Sequence, residues 1–315
     1  MHCCRLLFAG SPCAARSNSR ALLEMLQVSI GEGGVERAAD FSLEVCVEME
    51  CDTKPGEPRF RGSQHIVVVT FGPHTVLLFD LLRHRIVARV SRAVAGDEGF
   101  WALIMQPLIV GLMASSIGTL PVHCACLVDR GNGLLIAGNG GAGKSTLSAT
   151  LSIAGMEYLA DEWTYIRREP DGLHAFGVGA RIKLLPDAER HFPQLAERPL
   201  ESCLNGESSH QVDAGREFGA RVARSCRPRW FLFVHRRDDT GCEFRPEEPA
   251  VIRRYLDGNV ERLPAELKPL ERRRSALMDH VSQLPCWRFS YGGTPQYAAI
   301  VLKHFMRRQC IEDCA

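Results

Sequence analysis

The chain has 315 residues, 45% of them hydrophobic and 24% charged, a globular composition long enough for one large domain or two modest ones. That balance excludes a disordered, collagenous or coiled-coil chain. With 38 Lys and Arg against 37 Asp and Glu the formal net charge is +1, so no global field recruits nucleic acid or an anionic membrane, and any polyanion must be bound locally.

Residues 1–38 are small, polar and glycine-rich around one short apolar helix candidate, Leu22 to Val28, and read as an N-terminal arm. Their longest apolar stretch near the start is too short for a secretory core. Thirteen cysteines sit singly apart from Cys3-Cys4 and Cys124-x-Cys126. No C-x-x-C pair or Cys–His spacing of a zinc motif occurs, so the sequence predicts reduced thiols in the cytoplasm and no metal–cysteine site.

From Phe41 the pattern turns to period two, with Phe41, Leu43, Val45 and Val47 alternating with polar neighbours. His65–Phe71, Thr75–Phe79 and Arg85–Val90 are further β-branched runs, and together they predict a small antiparallel sheet. Phe100 to Leu120 is 21 residues without a charge, close to the ~20 a membrane span needs. Gln106, Pro107, Ser115, Ser116 and Thr119, with no basic flanks, favour a buried helix bent at Pro107 over a span. Residues 39–119 therefore read as a β-rich subdomain plus a buried apolar helix.

Residues 120–315 read as a third segment. Val122–Val128, a turn around Asn132-Gly133, and Leu134–Ala137 predict a hairpin. Gly138-Asn139-Gly140-Gly141-Ala142-Gly143-Lys144-Ser145 then satisfies G-x-x-x-x-G-K-[ST] between an apolar strand and a helix. Glycines there let consecutive backbone N–H groups turn inward around phosphate oxygens at the positive end of a helix dipole. Lys144 is expected to reach the β- and γ-phosphates and Ser145 to ligate Mg²⁺, with Thr146 completing the nucleotide cradle.

Asp161-Glu162 follows seventeen residues after Lys144, the distance at which a helix and a short strand return the chain to the phosphate edge. One carboxylate there can hold Mg²⁺ while the other takes a proton from an attacking hydroxyl. His123 opens the strand paired with the one feeding the loop, which places it at the same edge. Arg181 and Lys183, two residues apart on an expected strand, share a face suited to phosphate or an acidic substrate. Near the end, Thr294-Pro295 predicts a capped helix with Tyr297, Ile300, Val301, His304 and Phe305 on one face.

Leu120-Pro-Val-His123-Cys-Ala-Cys-Leu-Val-Asp, the glycine loop with its preceding strand, and Tyr158-Leu-Ala-Asp161-Glu162 resemble the catalytic core of HPr kinase/phosphorylase. That family is similar in fold to the nucleotide domain of phosphoenolpyruvate carboxykinase. The resemblance is closer still to HPr-kinase-related proteins of peptide-maturation systems, including kinases of lasso-peptide precursors, which share a segment like Ala180–Ala188. It is specific over about Leu120–Ala188, faint to Phe305 and absent before Phe41. The HPr-kinase signature of Glu-Leu-Arg-Gly type is missing downstream of the acids.

The resemblance implies an α/β P-loop kinase core with ATP and Mg²⁺, a catalytic His123, Asp161 as general base beside Lys144, and Glu162 with Ser145 and Asp161 at the metal. It implies an ATP-dependent serine kinase acting on a peptide or protein. A small-metabolite kinase and a non-catalytic ATP-binding scaffold stay open, as does a homo-oligomer. A polar stretch between Arg198 and Arg229, rich in arginine, reads as a long surface loop whose Arg221 and Arg224 would grip an acidic acceptor.

Overall fold

The structure, a computed structural model, describes residues 1–31, 38–114, 116–202, 208–259 and 268–312. It is a mixed α/β chain with several sheets, dividing into two compact units: Met1–Pro121 with Glu261–Leu277, and Val122–Val260 with Met278–Ala315.

The first unit is a seven-stranded sheet of β1 (His2–Phe8), β2 (Ser11–Ser17), β3 (Phe41–Glu48), β4 (Arg59–Ser63), β5 (Ile66–Thr70), β6 (Val76–Asp80) and β7 (Arg85–Ser91), in the order β1-β2-β3-β7-β6-β5-β4. Residues 1–31 form strands and a helix of this sheet and are no arm. Ala9 and Gly10, both at positive φ, close a tight turn between β1 and β2, and α1 (Arg20–Ile30), capped by the Ser19 hydroxyl, makes a crossover to the parallel strand β3. Leu6, Phe8, Leu22, Leu23 and Leu26 are buried there. The expected antiparallel sheet is therefore mixed, since β3 also runs parallel to β7. A crossover brings strands together that are distant in sequence, so local alternation cannot reveal their order.

The short helices α2 (Arg92–Ala95) and α3 (Glu98–Phe100) lead into a π-helical turn, Trp101–Met105, and α4 (Gln106–Ala114). Trp101, Met105, Ile109, Val110 and Met113 are buried. The irregular turn stands immediately before Pro107, whose missing N–H breaks the regular ladder. Among the described residues no helix is long and apolar enough to cross a membrane.

After β8 (Thr119–Val122), the second unit is organised by β9 (Ala125–Asp129), β10 (Asn132–Ala137), β11 (Glu157–Ala160), β12 (Thr164–Glu169), β13 (Gly172–Phe176) and β17 (Ser225–Arg236), hydrogen-bonded in the order β11-β9-β10-β17-β13-β12. On its other register β17 pairs β19 (Cys286–Tyr291), which pairs β18 (Cys242–Pro246). Three further strands, β14 (Arg181–Leu184), β15 (Glu201–Ser202) and β16 (Ser208–Asp213), form a separate sheet. The helices of this unit are α5 (Lys144–Ile153), α6 (Ala214–Phe218), α7 (Pro249–Asn259) and α9 (Pro295–Glu312), while α8 (Lys268–Val281) belongs to the first unit up to Leu277.

Three expectations in this half are corrected. The hairpin turn is Arg130-Gly131, both at positive φ, and Asn132-Gly133 opens β10. Gly133 is demanded by packing: a Cβ there would lie 2.5 Å from the Cys226 sulfur. On α9 the cap is as read, with the Tyr297 N–H donating to Thr294 Oγ1 at 3.3 Å, but Ala298, Ala299, Leu302 and Met306 are buried while Tyr297, Ile300 and His304 are exposed. Apolar residues surround this helix, so periodicity alone leaves its buried face undetermined. The long loop carries β15, β16 and α6, with residues 203–207 outside the described set.

Candidate active site

Strand direction assembles the site. β10 runs parallel to β17, which runs parallel to β19, and β11 shares their direction because both it and β10 are antiparallel to β9. All four strands therefore end at one edge, where Gly138 and Asp161 follow β10 and β11 and where Arg236 and Tyr291 close β17 and β19, while β9 begins there, just after His123. The carboxyl ends of parallel strands are where an open α/β sheet binds ligands.

The glycine loop joins β10 to α5. Gly143, at φ 85°, caps α5, and a Cβ on it would stand 2.4 Å from the Tyr291 hydroxyl. A Cβ on Gly138, at φ 153°, would meet the Val234 carbonyl oxygen at 2.8 Å. Both positions need glycine for conformation and for space. Lys144 begins the helix and donates from Nζ to the carbonyls of Gly138 at 2.8 Å and Asn139 at 3.2 Å, so its ammonium lies back over the loop. Asn139, Gly140, Gly141 and Ala142 form the crown of the loop, and Ser145 and Thr146 sit in the first turn of α5.

Asp161 is buried at the end of β11, where Oδ2 accepts the Lys183 N–H at 3.2 Å and Oδ1 has no hydrogen-bond partner. Burial pushes its carboxyl up to about 7, and Glu162 pushes the same way; the nearby Ser145 hydroxyl, the Lys183 N–H and the Lys144 charge oppose it. Glu162 is exposed. Burial, more than the charges of Asp161, Cys124 and Glu162 that oppose it, lowers the Lys144 ammonium.

His123 lies in the bend between β8 and β9, with its ring stacked on Trp163 at 5.1 Å between centroids. Its backbone is fixed by the Tyr255 hydroxyl, which donates to the His123 carbonyl, and by Thr164 Oγ1, which donates to the Cys124 carbonyl at 2.9 Å. Burial and the Lys144 charge lower its titration below the ordinary imidazole value, with Glu162 opposing.

Lys144, Ser145, Asp161, Glu162 and His123 are thus brought together. Arg181 and Lys183 sit on β14 with Ile182 and Leu184 buried between and beyond them, as their spacing predicts, and the Lys183 backbone supports Asp161. Arg221 and Arg224 are not at this edge. Val222 bridges Tyr158 and the Arg221 guanidinium faces Glu157 at 3.9 Å, at the start of β11; Arg224 precedes the start of β17. Both arginines thus stand at the starting ends of strands whose far ends make the site, one strand length from Asp161 and Arg236.

Three residues at the site escape sequence reasoning. Trp163 follows the acids and supports His123; an aromatic beside an acidic pair was the available signal. Arg236 places its guanidinium 5.2 Å from the centre of the Tyr291 ring, and its Cδ would lie 3.5 Å from a Cβ on Gly143. Both come from strands distant in sequence, with no motif around them.

No protein-family model and no curated protein sequence matches the chain. Among solved structures the chain is similar to the HPr(Ser) kinase/phosphatase from Coxiella burnetii, at 14% identity over 61% of this chain and 91% of that one, with a TM-score of 0.37.

Proposed function

We propose that the chain is an ATP-dependent kinase of HPr-kinase-like type that moves the γ-phosphate to a serine-type hydroxyl of a peptide or protein. The observation that supports this most is the convergence, at one sheet edge, of a lysine-headed glycine cradle with a buried carboxyl whose Oδ1 has no hydrogen-bond partner.

The loop N–H groups and Lys144 bind and orient the phosphates, and Arg236 stands beside them as a further cation. Asp161 accepts the hydroxyl proton as the acceptor oxygen bonds to the γ-phosphorus and the bond to the departing ADP oxygen breaks. His123, whose titration burial and Lys144 lower, is oriented by its stacking on Trp163 and stands near Lys144 and Glu162 to assist the transfer. The unpartnered buried Oδ1 of Asp161 fits a cation, and with Ser145 Oγ and Glu162 it would hold Mg²⁺, which supplies charge neutralisation to the phosphates. Arg181 and Lys183 are the cations that face an acidic acceptor.

The test is mass spectrometry of acidic serine peptides, and separately of free serine, after incubation with MgATP, alongside calorimetry of ATP binding. The reading expects a phosphoryl group on peptide serine, lost in Asp161→Asn while ATP still binds. Transfer to free serine without peptide turnover moves the assignment to a small-metabolite kinase. No ATP binding by the wild-type chain removes the kinase reading.

A further inference from the structure

Away from that site, one group of side chains in the first unit meets the requirements of a soft divalent cation. Glu48 ends β3, Cys51 follows in the adjoining turn, and His74 sits at the tip of the β5–β6 hairpin. Their ligand atoms all lie within 4.8 Å of one another, and all three residues are half-buried. The group is invisible to spacing rules because its members come from segments that only the sheet brings together.

The surroundings are built as well. The Cys51 N–H donates to the Glu48 carbonyl at 3.1 Å and the Arg92 N–H to the Cys51 carbonyl at 2.7 Å, which fixes the turn. Ser91 Oγ donates to the Thr53 carbonyl at 2.5 Å, and Thr53 Oγ1 stands 3.3 Å from the Cys51 sulfur. Arg89 ties the two remaining members together, with one guanidinium nitrogen 3.1 Å from Glu48 Oε1 and the other donating to the Pro73 carbonyl at 2.9 Å. The other oxygen of Glu48, Oε2, is hydrogen-bonded to His74 Nδ1 at 3.1 Å. Outer partners of this kind orient metal ligands and tune their basicity.

We propose that Glu48, Cys51 and His74 form a zinc site that pins the β5–β6 hairpin tip to the end of β3. A thiolate, an imidazole and a carboxylate are the donor types zinc takes. Tetrahedral bond lengths place such donors about 3.3–3.8 Å apart, so side-chain rotations closing the sulfur by roughly 1 Å suffice. The two anionic donors balance the dication, the thiol proton is released on binding, and water completes the fourth position.

The experiment uses the full chain without a histidine tag, stripped by a chelator and kept reduced, and titrated with Co²⁺ and then Zn²⁺. The site expects one equivalent of cobalt with a thiolate-to-cobalt charge-transfer band, displaced by zinc, and a raised melting temperature with zinc. Cys51→Ser should abolish the band, Thr53→Val should weaken binding ~10-fold, and Cys46→Ser, on the exposed side of β3, should change neither. The Mg²⁺-type donors at the phosphate edge offer no thiolate and give no such band. A wild-type chain that gives no band with excess cobalt overturns the proposal, as does a band that survives Cys51→Ser. Should Cys51→Ser fail to fold, His74→Gln decides: its side chain is 43% exposed, and unchanged cobalt affinity there also overturns the site.

Discussion

The two ends of the strands in the second unit's main sheet both carry opposite charges close together and differ in what surrounds them. At the edge where β10, β11, β17 and β19 end, a helix N-terminus, a buried aspartate and a half-buried lysine share one small space. At the edge where β11 and β17 begin, Glu157 and Arg221 meet at 3.9 Å with the arginine side chain 78% exposed. Water screens the second pair, whereas burial makes each group at the first edge sensitive to its neighbours. Charge clusters in this sequence therefore gain chemical meaning from the strand end at which they stand.

The sharpest way to break that contrast is to close the cradle. Gly143→Ala adds a Cβ at positive φ against the Tyr291 hydroxyl, and Lys144→Ala removes the loop's ammonium. Each is expected to abolish measurable ATP binding by calorimetry in a chain that keeps its circular dichroism spectrum. ATP affinity retained in Lys144→Ala would remove the phosphate role of the loop.

Next in size, Asp161→Asn should lower the transfer rate ~10²–10⁴-fold with ATP affinity kept, and Glu162→Gln should raise the Mg²⁺ concentration needed for half-maximal rate. If Glu162→Gln silences the enzyme and Asp161→Asn costs only a few-fold, the two roles are exchanged. His123→Ala should lower turnover without changing ATP affinity, and Trp163→Ala should reproduce a smaller part of that loss.

The buried edge also predicts a pH effect on stability in metal-free buffer. An unfolded aspartate titrates near ~3.9, and Asp161 in the folded chain near about 7. Between those values the native state holds a proton that the unfolded state has released, so the contribution of this group to stability falls as pH rises across the window and is level above it. Asp161→Asn lacks that slope. Its melting temperature relative to wild type should rise by several degrees between about pH 4 and pH 7.5. A difference that stays constant with pH would show that Asp161 titrates as an exposed carboxylate.

The smallest effect belongs to the exposed edge. Arg221→Ala and Arg224→Ala should change the Michaelis constants for ATP and peptide by less than about twofold, the scale of exposed ion pairs. A peptide constant raised severalfold would place acceptor contacts at the wrong end of β11 and overturn the contrast itself.

Much of the glycine-loop edge was legible along the chain because its parts are local. A strand, a glycine loop, a lysine and a helix follow one another, and the acids return after one helix and one strand, so Lys144, Ser145, Asp161 and Glu162 could be placed from spacing alone. Alternation likewise marked β3 and β7, where one face is buried. Only the tertiary structure decided that β1 and β2 add two strands to the first sheet, that α9 buries its alanines, and that Arg221 stands at the start of β11. It also set Trp163 against His123, Arg236 against Tyr291, and Cys51 beside His74. The division follows from the range of the forces: backbone conformation and periodicity act over a few residues and leave their mark in the sequence. Pairing across crossovers and the burial that shifts a carboxyl depend on segments far apart in the chain, which the sequence does not order in space.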